Sequence, residues 1–167
     1  VFNKQTAVQN DAIAFAQEIA AKVKNGPTPN ASVIETGQSL GGSEAQAAIA
    51  YLVDRNILPS SQVSGILFNS PGIGAYLPKG APSSYNVIDF WNQGDVIHDA
   101  GGTHLGTSAM LGAGPDTSSL ALVTPDGVTG QPVVDWPLVA TAFENIVGPA
   151  HSINTVISYL SPGGGGS

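Results

Sequence analysis

The stretch that decides the fold runs Ala31-Ser32-Val33-Ile34-Glu35-Thr36-Gly37-Gln38-Ser39-Leu40-Gly41-Gly42 and continues as Ser43-Glu44-Ala45-Gln46-Ala47-Ala48-Ile49-Ala50-Tyr51-Leu52-Val53. Residues 31–36 are a short apolar run, with the length and β-branched content of a buried strand. From Ser43 the chain turns alanine-rich and places Ala45, Ala48, Ile49, Leu52 and Val53 on one helical face. Between the two, Gly37-Gln38-Ser39-Leu40-Gly41 fits G-x-S-x-G, the pattern of a strand-to-helix turn that lifts a serine hydroxyl onto strained, exposed backbone. On this reading Gly37 and Gly41 are glycines because side chains there would collide with neighbouring elements. In a chain with 21 glycines the pattern is weak alone, and the strand and helix around it give it weight. The competing reading of Ser39 is a simple turn serine.

Working outward, residues 5–24 carry Val8, Ala12, Phe15, Ile19 and Val23 at helical spacing and stop at Asn25-Gly26-Pro27. Residues 63–68 read as a second strand and 86–90 as a third, with a Pro-, Gly- and Ser-rich connection too long for a hairpin. A glycine-rich stretch over 93–114 reads as loops near the C-terminal edge of the sheet. Residues 120–124 read as a fourth strand, Pro125-Asp126-Gly127 as a turn, and 137–147 and 152–160 as helices. Strands alternating with helices or long crossovers predict an α/β fold with a mostly parallel sheet flanked by helices.

With 167 residues the chain suits one domain, taken as 1–162, and Gly163-Gly164-Gly165-Gly166-Ser167 has the composition of a flexible linker or tag. A net charge of -7 without a basic cluster argues against nucleic acid as a partner. There is no cysteine, which removes disulfides and thiolate chemistry. No apolar stretch is long enough for a transmembrane segment. A secreted, bacterial location is the expectation, and the same composition suits the cytosol.

If Ser39 is a nucleophile it needs a base, and the base needs an orienting carboxylate, in the chain order Ser, Asp, His. Asp95 lies just past the third predicted strand, where a carboxylate would project from the same sheet edge as the turn. His151 follows Gly148-Pro149-Ala150 and lies on a loop able to return an imidazole over the sheet. The competing readings are a solvated turn residue for Asp95 and a helix N-cap neighbour for His151. His98 and His104 read at most as hydrogen-bonding groups nearby. The Leu40 N–H, at a helix start, can supply one oxyanion donor. No metal or organic cofactor is expected: the acidic loop 95–99 offers oxygen ligands for calcium but no EF-hand pattern.

Thr36-Gly37-Gln38-Ser39-Leu40-Gly41-Gly42 resembles the T-G-H-S-L-G-G segment of the class 3, fungal-type lipases of the α/β-hydrolases and their bacterial lipase-like relatives, with Gln38 in place of histidine. Phe68-Asn69-Ser70-Pro71-Gly72-Ile73-Gly74 is similar to that family's F-G-x-P-R-V-G, with Gly72 in place of arginine. Ser39 to Asp95 and Asp95 to His151 are each 56 residues apart, like the family's triad spacing. The resemblance covers about residues 5–160, the C-terminal half to two thirds of a family domain. It implies hydrolysis of carboxylic esters, acylglycerols or phospholipids among them, with Ser39 as nucleophile, His151 as base and Asp95 as orienter. The family's earlier strands and second oxyanion donor have no counterpart here. A complementing N-terminal segment, or self-association through strand 31–36, is therefore expected. A catalytically silent binding module and an acyltransferase are the alternatives.

Overall fold

The computed structural model describes residues 6–74, 82–112, 123–125, 132–134 and 151–152. The chain forms two compact units, one from residues 1–91 and 97–110 and the other from 92–96 and 111–167.

The first unit contains α1 (Ala7–Asn25), β1 (Val33–Gln38), α2 (Leu40–Asp54), β2 (Val63–Phe68), β3 (Val87–Trp91) and β4 (Thr107–Met110). Its four strands form one sheet in the order β1-β2-β3-β4, every pair parallel. This is an α/β fold, as expected. Because the order steps one way across the sheet, right-handed crossovers all fall on one face. That is the face on which α2 lies, burying Val33, Val63, Leu67 and Val87. The opposite face of the first two strands carries Ile34 and Ile66, which remain 61% and 41% exposed.

Helix α1 starts at a capping box: Thr6 Oγ1 accepts from the Gln9 N–H at 3.3 Å, and Gln9 Oε1 accepts from the Thr6 N–H at 3.0 Å. Its buried stripe is Gln9, Ile13, Ala16 and Ala20, offset from the expected one, and Val8 and Phe15 are exposed. The reason is its partner. It packs on α2, whose Ala45, Ala47, Ala48 and Ala50 are all buried, and small residues on both sides let the two backbones approach.

Two sequence expectations are corrected. Residues 107–110, read as loop, are β4, paired in register with β3 from Ile88↔Thr107 to Trp91↔Met110. The strand expected over 120–124 is described only from Val123, and there it belongs to a separate two-stranded sheet. Its described part, β5 (Val123–Pro125), pairs antiparallel with β6 (Pro132–Val134) in the second unit. The helices expected over 137–147 and 152–160 lie outside the described residues.

Candidate active site

Strand β1 and helix α2 meet at Ser39 with no residue to spare. The Ser39 N–H continues the sheet ladder to the Phe68 carbonyl at 3.0 Å, and the Ser39 carbonyl already accepts from the Gly42 N–H at 2.9 Å. One residue therefore ends a strand and opens a helix, which forces φ 57 and ψ -129. A serine that merely caps a helix sits in the extended region and accepts a backbone N–H with its side chain. Ser39 does neither: its conformation is outside that region and its hydroxyl makes no capping bond. Ser39 therefore does not serve as a side-chain cap of α2.

Gly37 is required by contact, because a Cβ there would overlap the Gly41 backbone. The matching expectation for Gly41 is corrected: nothing lies within 4 Å of a Cβ at that position. The close approach is made one residue later, where a Cβ on Gly42 would overlap Ser70. Leu40 is the first residue of α2, so its N–H has no carbonyl one turn earlier in the helix to bond, and the helix dipole adds positive potential there.

Asp95 and His151, 56 residues apart in sequence, meet in the second unit. His151 Nδ1 lies 2.9 Å from Asp95 Oδ2 and 3.1 Å from Oδ1. A carboxylate accepts, so Nδ1 donates, and a neutral ring then carries its lone pair on Nε2. Asp95 is fully buried and its N–H bonds the Asn92 carbonyl at 3.1 Å, closing a tight turn. It is not the solvated turn residue of the alternative reading.

A second polar cluster in the first unit escaped the sequence reading. Asp89 projects from β3 towards α2 and has no exposed surface. Its Oδ2 accepts from the Ser70 hydroxyl at 2.6 Å and lies 3.3 Å from His98 Nδ1 and 3.2 Å from His104 Nδ1. Gln46, buried on α2, donates to Ser70 Oγ and the Pro71 carbonyl and accepts from the Leu105 N–H. Burial alone would raise the Asp89 carboxyl; the imidazoles of His104 and His98 and the Ser70 hydroxyl outweigh it and hold the group below the usual carboxylate range. Burial also depresses His104, and the Asp89 carboxylate and the His98 carbonyl override it, raising the ring above its ordinary value. The signal available in the sequence was strand alternation. With Val87 and Asp89 both facing inward, a buried carboxylate demands partners, and histidines were few.

No family model matches the chain, and no curated protein or solved structure matches it either.

Proposed function

We propose that the chain is a serine hydrolase of the α/β-hydrolase kind, cleaving carboxylic esters, lipid esters among them, through an acyl-enzyme on Ser39. The observation that carries the reading is the backbone of Ser39 at φ 57 and ψ -129, between a parallel strand and a helix, with its hydroxyl not used as a cap. Backbone strain of this kind collects at functional sites because only function repays it. The ordered His151–Asp95 pair supports the assignment of base and orienter, together with the chain order Ser, Asp, His.

In the mechanism, His151 Nε2 takes the proton from Ser39 Oγ as that oxygen attacks the ester carbonyl. Asp95 holds Nδ1–H and steadies the imidazolium that forms. The Leu40 N–H donates to the developing oxyanion. Collapse of the intermediate expels the alcohol, protonated by His151, and leaves the acyl group on Ser39. Water, deprotonated by the same imidazole, then releases the acid and restores the serine.

Hydrolysis of a series of p-nitrophenyl esters tests this. Ser39→Ala is expected to fall to the uncatalysed rate, and His151→Ala to lose roughly a thousandfold in kcat/KM. Wild-type rates in Ser39→Ala would remove the reading. Acyl-enzyme that accumulates and is released to added alcohols but not to water would replace hydrolase by acyltransferase.

A further inference from the structure

We propose that Asp89, His98 and His104 bind a divalent transition-metal ion of the zinc class, forming a metal staple between β3 and the connection that leads to β4. The proposal is independent of the serine chemistry. It rests on where three ligand atoms converge and on what they lack.

One ligand atom from each of the three residues lies within 4.8 Å of the other two. Asp89 Oδ2 stands 3.3 Å from His98 Nδ1 and 3.2 Å from His104 Nδ1. Ligand atoms bound at about 2.0–2.1 Å to a tetrahedral ion are spaced about 3.3–3.4 Å apart. These two oxygen–nitrogen separations are therefore those of neighbouring corners around a small cation.

These distances are within reach of a hydrogen bond, yet none is made. Although close to Oδ2, neither Nδ1 has a hydrogen-bond partner, and Asp89 Oδ1, fully buried, has none either. His104 explains why. Its Nε2 lies 2.9 Å from the His98 carbonyl oxygen, which can only accept, so Nε2 carries a hydrogen. In the neutral ring Nδ1 then holds a lone pair, 3.2 Å from a carboxylate oxygen. A nitrogen without a hydrogen-bond partner 3.2 Å from a buried carboxylate oxygen is stabilised by a positive charge there, supplied by a proton on the ring or by a cation that both atoms bind.

The surroundings hold the donors in place as an outer shell does. The Ser70 hydroxyl fixes Asp89 Oδ2 at 2.6 Å, and Gln46 fixes Ser70. Trp91 stacks on the His98 ring, 4.4 Å between centroids and 5° from parallel. The His98 carbonyl sets the tautomer of His104. The loop that carries His104 is bonded to the segment after β2: Gly72 N–H to Ala100 at 2.8 Å, Ile73 N–H to Thr103 at 2.9 Å, and Gly74 N–H to Gly101 at 3.1 Å. Gly72 allows it, since a Cβ there would overlap the Gly102 backbone. Two imidazoles and one carboxylate favour zinc and its neighbours over calcium or magnesium, and three protein ligands leave a position for water.

The test uses the full chain, stripped with chelator, equilibrated with zinc and dialysed. About one zinc per chain should remain, and the thermal midpoint should rise by about 5 °C or more. Cobalt(II) in its place should give intense visible bands of a four-coordinate ion. His104→Ala should lose at least tenfold in zinc affinity and lose the bands, whereas His151→Ala should keep both. Should His104→Ala fail to fold by circular dichroism, X-ray absorption of the zinc-loaded wild type decides: two imidazoles and low-atomic-number oxygen around zinc uphold the site. Less than about a tenth of an equivalent retained overturns it. So does full affinity in folded His104→Ala, or a His104 ring doubly protonated by nitrogen NMR with no metal taken up.

Discussion

Ser39 holds a backbone conformation that costs a non-glycine residue about 1–3 kcal/mol. The strain belongs to the backbone, so Ser39→Ala should leave stability nearly unchanged. Ser39→Gly should relieve it. Against a loss of about 0.5–1 kcal/mol from greater freedom of the unfolded chain, the glycine variant should come out more stable than the alanine variant by about 1 kcal/mol, with both inactive. Urea denaturation measures this, and a glycine variant less stable than the alanine one would mean that the turn is not strained. At this scale the sequence was legible for the strained turn at Ser39, marked by its motif, and for the pairing of Asp95 with His151, singled out by order and position. Asp89 was not, because strand alternation with Val87 points it inward but does not show which groups of a later loop it meets. Gln46 was hidden for the same reason, a polar residue inside an alanine-rich helix whose three hydrogen bonds all come from other segments.

Among the elements, β2 and the strand-turn-helix of β1 and α2 were legible because each is a short apolar run or alanine face bounded by clear breakers. Strand β4 was not. Its Thr107-Ser108-Ala109-Met110 has little apolar content, and it forms because β3 offers a ladder to complete. The apolar stripe of α1 was misread because hydrophobicity favoured Phe15, while close packing against α2 favoured Ala16 and Ala20. The two motif glycines also divide at this scale. Gly37→Ala forces a methyl group into the Gly41 backbone and should abolish activity and cost about 1–3 kcal/mol. Gly41→Ala meets nothing within 4 Å and sits inside a helix, so it should fold as well as the parent or slightly better. Thermal unfolding of the pair checks this, and equal losses in both would contradict the contact account.

For the whole molecule, the main consequence lies in the sheet of the first unit, where among the described residues β1 is an edge strand and Ile34 and Ile66 are largely exposed on one face. Parallel sheets are normally covered on both faces, and an unpaired edge next to exposed isoleucines invites pairing. The chain should therefore self-associate with rising concentration, and Ile34→Lys should shift light scattering towards monomer. A parent that stays monomeric at high concentration, with β1 amides as protected as those of β2, would show that the edge is covered. The central claim, that this chain activates Ser39, is tested most directly by a fluorophosphonate probe with peptide mapping on the full chain. The account predicts one covalent adduct, on Ser39, abolished in Ser39→Ala and strongly slowed in His151→Ala and Asp95→Asn. An unlabelled Ser39, or labelling indifferent to His151, would contradict it.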